Sequence, residues 1–234
     1  MHCAPTMTPQ RLLPTLAALS GALAILAFSG ALPPPLVFVF KPLTTLLIIA
    51  FAWPRGHAVP RQRRFIGVGL ILSLAGDVAL LWPREGFLPG LVAFLLAHLA
   101  YIVAFCASAR LAARPMVFVM YAAIALAILS QLWPGVPAGL RAPVVAYVVC
   151  LAAMAAQAGV AWQMALDRGS EFVPLARRAA FGGLLFMVSD SLLAINRFAT
   201  PLPLASLWIL LSYWLAQACI AASLPARAAV PTSP

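Results

Sequence analysis

The chain has 234 residues, 64% of them hydrophobic and only 9% charged, with a mean hydropathy of +1.02; soluble domains are roughly 45 to 50% apolar, so a water-soluble globule is excluded. Fifteen Lys and Arg against five Asp and Glu give a formal charge of +10, but the arginines collect in short loops between apolar runs, which is the pattern that orients a membrane protein rather than one that binds nucleic acid. The expectation is an all-α, polytopic membrane protein with no nucleic-acid partner.

Apolar runs of about 18 to 25 residues suffice to cross a hydrocarbon core of roughly 30 Å. Eight can be marked off: 12–30, 32–53, 65–82, 87–109, 115–133, 142–162, 178–198 and 202–224. Together they make residues 1–234 a single eight-helix membrane domain, because the connections are too short to hold another. The first run follows Arg11 as a secretory signal would, yet its apolar part exceeds the usual core of about 7 to 15 residues, so it reads as a span. Trp53, Trp82, Trp133 and Trp162 each close a run, where an indole sits at the membrane interface.

Eight spans put both termini on one side. Arg11, Arg55, Arg61, Arg63, Arg64, Arg110, Arg114, Arg168, Arg177, Arg178 and Arg227 then share the terminal side, whereas Arg84, Arg141 and Arg197 lie opposite. That asymmetry predicts cytoplasmic termini, in the inner membrane if the host is bacterial. The cysteines (Cys3, Cys106, Cys150 and Cys219) have no CxxC spacing, and the last three lie in apolar runs where they pack as small hydrophobes. They support neither a disulfide framework nor a metal site.

Several polar residues lie inside the spans. Span two holds Lys41, span three Ser73 and Asp77, span four His98 and Tyr101, span seven Ser189, Asp190 and Ser191, and span eight Ser212, Tyr213 and Gln217. A carboxylate at the centre of a span costs roughly 2.5 to 3.5 kcal/mol, so it faces protein or water and has a partner. Each titratable residue lies near the middle of its span, so at about 1.5 Å per residue they share one layer. Ser73 and Asp77, His98 and Tyr101, and Tyr213 and Gln217 are spaced to project from one helix face each. Asp190 and Arg197, seven apart, place a cation on the acid's face nearer the outer mouth. Gly76-Asp77-Val78-Ala79-Leu80 and Ser189-Asp190-Ser191-Leu192-Leu193 echo one another four spans apart, as a parallel repeat of four plus four helices would.

Two carboxylates, a histidine and a lysine in a low-dielectric layer make an acid-base site, with one acid as proton donor and the other as base. Asp77, Asp190, His98 and Lys41 are therefore the catalytic candidates. Ser73, Tyr101, Ser189, Asn196, Arg197, Tyr213 and Gln217 are candidates to bind substrate or support that set. The same residues are also compatible with a proton relay in a small-molecule or lipid transporter, or with metal ligation by Asp, Asp and His.

The stretches Lys41-Pro42-Leu43-Thr44-Thr45, Leu74-Ala75-Gly76-Asp77, His98 with Tyr101, Phe186 to Phe198, and Tyr213-Trp214-Leu215-Ala216-Gln217 resemble the YhhN-like lysoplasmalogenase family of eight-span membrane proteins. The resemblance covers spans two to eight and implies hydrolysis of the vinyl ether bond of a lysophospholipid substrate, giving a fatty aldehyde and a glycerophospho-headgroup. Asp77 and Asp190 stand where it implies the acids. A vinyl ether is cleaved by protonating its β-carbon to an oxocarbenium ion that water then attacks, so acid and base suffice and no nucleophilic serine or cofactor is required. In this reading the aspartates share the acid and base roles, His98 orients water and Lys41 sets the charge. The partners are the lipid substrate and the surrounding membrane lipid; the oligomeric state is left open.

Overall fold

The computed structural model describes residues 9–82 and 84–226, with side chains from residue 12 onward. Cys3 and Arg227 lie outside the described residues. Eight α-helices form among these residues, with no strand: α1 (Pro9–Phe28), α2 (Val37–Ala52), α3 (Pro60–Ala79), α4 (Phe87–Phe105), α5 (Pro115–Leu132), α6 (Arg141–Asp167), α7 (Val173–Phe198) and α8 (Ala205–Ala222). Six of the eight are long and apolar enough to cross a membrane, α1 and α3 being the exceptions. In α1 the apolar part, Leu12–Phe28, is shorter than the rest, and α3 opens with Arg61, Arg63 and Arg64 before its apolar stretch. The chain is an integral membrane protein.

The helix limits follow the local chemistry. Pro60 and Pro115 start α3 and α5, where a missing N–H costs nothing because the first-turn donors have no helical partner. Pro33, Pro34 and Pro35 delay α2, which is entered through a 3-10 turn at Pro34–Leu36 rather than at the expected residue 32. Two helices outrun their apolar cores. α6 continues to Asp167 before Gly169, at φ +57°, turns the chain, and α7 begins at Val173 so that Arg177 and Arg178 lie in its early turns. The extension of α6 corrects one expectation. Trp53 and Trp82 are exposed at or just beyond helix ends, but Trp162 sits inside α6 against Phe181, with its indole N–H buried and unpartnered.

α6 packs against α4, α5 and α7, and α8 packs against α7, α2, α1 and α3. The order of pairings in the first four helices recurs in the second four. α1 packs on α2, α2 on α3 and α3 on α4, as α5 packs on α6, α6 on α7 and α7 on α8; the cross-contacts α4 with α6 and α8 with α2 exchange under the same relabelling. The match is partial, because the contacts of α1 with α8, α3 with α8 and α5 with α7 have no counterpart of similar extent.

The two ends of the bundle differ. At the end nearer the termini, the α2–α3 loop is tied to the end of α8, through Arg55 Nε donating to the Leu224 carbonyl at 3.1 Å and the Gly56 N–H to that of Pro225 at 2.8 Å. At the opposite, distal end, the Phe87 and Phe198 rings meet edge to face with centroids 5.9 Å apart. Lys41, Asp77, Asp190, Asn196 and Arg197 lie toward this distal end, whereas Tyr101 and Gln217 lie in the other half of their helices.

Candidate active site

A cavity of about 550 Å³ occupies the distal half of the bundle. Every helix lines it, from Phe28 at the end of α1 to Tyr213 in α8. Odd-numbered helices contribute residues near their C-termini and even-numbered ones residues near their N-termini, as alternating chain directions require. The wall is mostly aliphatic and aromatic. Its ionisable side chains are Lys41, Asp77, Tyr147, Asp190, Arg197 and Tyr213, so acidic residues of two separate helices line one cavity.

Asp77 is 1% exposed and Lys41 4%, and a buried carboxylate is tolerated only when its oxygens are bonded. Asp77 has three donors around it. Thr45 Oγ1 and the Tyr213 hydroxyl donate to Oδ2 at 2.6 and 2.7 Å, and Lys41 Nζ lies 3.7 Å from Oδ1. Lys41 also donates to the Asp77 carbonyl at 3.0 Å, satisfying an acceptor in the last turn of α3. A further set of bonds fixes these donors. Trp214 Nε1 donates to Thr45 Oγ1 at 3.3 Å, Gln217 Nε2 to the Tyr213 oxygen at 3.3 Å, and the Tyr101 hydroxyl to Gln217 Oε1 at 2.7 Å. The Tyr101 ring lies where a side chain at Gly69 would stand, 2.2 Å from a Cβ built there, so glycine sets the approach of α3 and α4.

Asp190 is differently held. It is half-buried, and the Tyr147 hydroxyl of α6 donates to its Oδ2 at 2.5 Å. Arg197, two turns further along α7, lines the mouth of the same cavity with its guanidinium carbon 3.8 Å from the Phe87 ring centroid. Aromatic contacts connect the two acids. The Phe186 ring packs 5.5 Å from Tyr213 and 4.6 Å from His98, and His98 packs 5.3 Å from Tyr147.

His98 is where position and expectation part. It is fully buried, stands behind Tyr147 and Phe186 rather than among the residues lining the cavity, and neither ring nitrogen has a hydrogen-bond partner. Orientation of a cavity water by His98 does not follow from that place. Ser73 is likewise buried one turn before Asp77, and Tyr101 and Gln217 reach Asp77 only through Tyr213. Ser189 donates to the Ile209 carbonyl at 3.0 Å, tying α7 to α8. Asn196 lines the cavity, but its Oδ1 accepts from the Leu202 N–H at 2.9 Å and so orders the α7–α8 turn.

Two residues outside the candidate set belong to the site, Thr45 and Tyr147. Thr45 lies one turn after Lys41, on the same face of α2. Tyr147 is the tyrosine of α6, near the depth shared by the other polar residues. It stands to Asp190 as Lys41 stands to Asp77 under the repeated pairing of helices, α6 with α7 and α2 with α3. Among the described residues no three His, Cys, Asp or Glu side chains converge as a metal-binding group. The arrangement offers one carboxyl group fixed by a cation and two hydroxyls, a second carboxyl group with one bonded oxygen, and an apolar chamber between them. Those parts suit proton transfer to and from an amphiphile.

The YhhN family model matches residues 36–224. Human "Lysoplasmalogenase TMEM86B" is 33% identical over 183 residues, covering 78% of this chain and 73% of the relative. A "Lysoplasmalogenase" of Mycobacterium tuberculosis is 32% identical over 206 residues, covering 82% and 74%. Human "Lysoplasmalogenase TMEM86A" is 31% identical over 159 residues, covering 68% and 64%. No solved structure gives a significant match.

Proposed function

The chain belongs to the YhhN family, and from that membership together with the cavity we propose that it is a membrane-embedded ether hydrolase acting on lysoplasmalogens. The observation that carries the reading is that Asp77 and Asp190 both line one largely apolar cavity to which every helix of the bundle contributes. Relatives named for lysoplasmalogenase activity match most of the chain.

The residues suit a two-step hydrolysis. Asp190, with one oxygen bonded to Tyr147, is the acid: its proton passes to the β-carbon of the vinyl ether, and the double-bond electrons leave the α-carbon as an oxocarbenium ion conjugated with the ether oxygen. Asp77, held as a carboxylate by Lys41, Thr45 and Tyr213, stabilises the cation and takes a proton from the water that attacks it. The resulting hemiacetal then breaks its bond to the glycerol oxygen: Asp77 returns its proton to that oxygen, which leaves as the hydroxyl of the glycerophospho-product, while Asp190 takes the proton of the hemiacetal hydroxyl, so that the former vinyl carbons become a fatty aldehyde and both acids regain their starting states. Lys41 compensates the charge of Asp77, and His98 contributes packing behind Tyr147. The cavity faces the side opposite the termini, which lie in the cytoplasm on the arginine asymmetry; in a bacterial host the protein sits in the inner membrane.

The test is mass spectrometry of 1-alkenyl-lysophosphatidylethanolamine incubated with the purified full chain in deuterated water, with and without chelator. The expected product is an aldehyde carrying one deuteron on the carbon next to the carbonyl, which protonation at carbon requires. Accumulation of intact lipid inside vesicles, without aldehyde, would instead support a proton-coupled transporter and end the hydrolase reading.

A further inference from the structure

Resting on the hydrolase reading, we infer that Gln217 is a positioning residue for Asp77: with Tyr101 behind it, its amide holds the Tyr213 proton on Asp77 Oδ2 and so leaves the exchange of protons to Oδ1. Four side chains on three helices form this run of bonds. The Tyr101 hydroxyl of α4 donates to Gln217 Oε1 at 2.7 Å, Gln217 Nε2 of α8 donates to the Tyr213 oxygen at 3.3 Å, and the Tyr213 hydroxyl, also of α8, donates to Asp77 Oδ2 of α3 at 2.7 Å. All four residues are buried, Tyr101 and Gln217 completely, so each depends on the others for its hydrogen bonds.

The direction of these bonds is forced from the Asp77 end. A carboxylate only accepts, so the shared proton belongs to Tyr213; the Tyr213 oxygen is then left to accept, which draws the amide nitrogen of Gln217 toward it and turns Oε1 to Tyr101, a donor. The opposite turn of the amide would present Oε1 to Tyr213 and draw its proton away from Asp77. Tyr101 opposes that turn, because its hydroxyl donates to Oε1. Oδ2 thereby keeps two hydroxyl donors, Tyr213 and Thr45 at 2.7 and 2.6 Å, whereas Oδ1 meets only the Lys41 ammonium among the described residues, at 3.7 Å. The proton taken from the attacking water, and later returned to the glycerol oxygen, therefore travels on Oδ1. Tyr213 lines the cavity, but Gln217 and Tyr101 do not. Those two touch no substrate, and their influence on the reaction passes through one hydroxyl.

The experiment is a double-mutant cycle on the purified full chain, read as aldehyde release from 1-alkenyl-lysophosphatidylethanolamine. Gln217→Met, which keeps the length of the side chain and removes its donor, and Tyr101→Phe should each lower kcat roughly five- to thirtyfold while KM stays within about twofold. In a Tyr213→Phe background, which lacks the hydroxyl they act on, the same substitutions should change kcat by less than about twofold. Equal losses in both backgrounds, a loss carried by KM, or no loss in either would overturn the assignment. Where Gln217→Met melts below the assay temperature, its combination with Tyr101→Phe, which orphans no hydroxyl beside residue 217, takes its place in the cycle. A chain that releases no aldehyde defeats the hydrolase reading, and Gln217 is then judged by infrared spectroscopy. With only five Asp and Glu in the sequence, the carboxylate stretch lost in Asp77→Asn can be assigned. That band should shift in Gln217→Met, and adding Gln217→Met to Tyr213→Phe should move it no further; a band that Gln217→Met leaves in place would count against the inference.

Discussion

The Tyr147 hydroxyl donates to Asp190 Oδ2 at 2.5 Å, and this bond joins α6 to α7 at the wall of the cavity as the Lys41–Asp77 pair joins α2 to α3. One half of the bundle thus holds its carboxyl group with a cation and the other with a phenol. On the proposed mechanism, it is these different partners on equivalent helix pairs that set two acids of one kind to unlike tasks. The prediction is that Tyr147→Phe, which keeps the ring and removes the hydroxyl, lowers kcat for aldehyde release roughly ten- to a hundredfold with little change in KM or thermal midpoint. Steady-state kinetics on the purified variant check it; undiminished kcat would remove Tyr147 from the acid's support.

Breaking the pair at Asp77 should be felt by the fold as well as by the chemistry. Asp77→Asn leaves the buried Lys41 ammonium without its counter-charge, a loss on the order of 3 to 5 kcal/mol for a pair this enclosed. Adding Lys41→Met to Asp77→Asn should recover most of the thermal midpoint while leaving the protein inactive. Denaturation monitored alongside aldehyde release separates the two effects, and activity in the double variant would show that Asp77 is dispensable to the reaction.

The position of His98 makes a contrary prediction to its residue type. Both ring nitrogens are buried without partners, so an apolar ring of similar shape should cost little and can raise stability. His98→Phe is expected to retain activity within a few-fold and to melt no lower than the unaltered chain. A loss of several hundredfold with the fold intact would restore a direct part for the imidazole.

Orientation can be read by chemical labelling. In a chain freed of its native cysteines, Gly139→Cys lies in the distal α5–α6 connection and Glu171→Cys in the α6–α7 loop at the other end. A membrane-impermeant maleimide applied to intact bacterial cells should label the first and spare the second. The reverse pattern would place the cavity mouth in the cytoplasm.

Much of the helical plan was legible because spanning helices must satisfy their backbone internally and carry long apolar runs, so hydropathy locates them directly. The limits were less so wherever a helix outlasts its apolar core, as α6 does past Trp162 and α7 does ahead of Arg178; helical hydrogen bonding continues into water, and hydropathy does not report it. At the site, charge inside an apolar run identified Lys41, Asp77 and Asp190 as residues that need partners. Which partners they take depends on how helices rotate against one another. Thr45 and Tyr147 carry no charge and raise no comparable alarm in the sequence, yet each donates to an aspartate. His98 shows the converse: a titratable residue at the shared depth has its ring packed behind the cavity wall.

The helix α5 packs chiefly on α6, with a smaller contact to α7, and no more than a marginal one to any other helix, although Ile128, Leu129 and Leu132 of its distal half help enclose the cavity. Of all the cavity's sides this is the one whose outward movement would break the fewest contacts within the protein. On the proposed reaction, an oily product would meet hydrocarbon on leaving by that side and its water-loving counterpart would leave by the cavity mouth, so that a single turnover would end with its two halves in different phases.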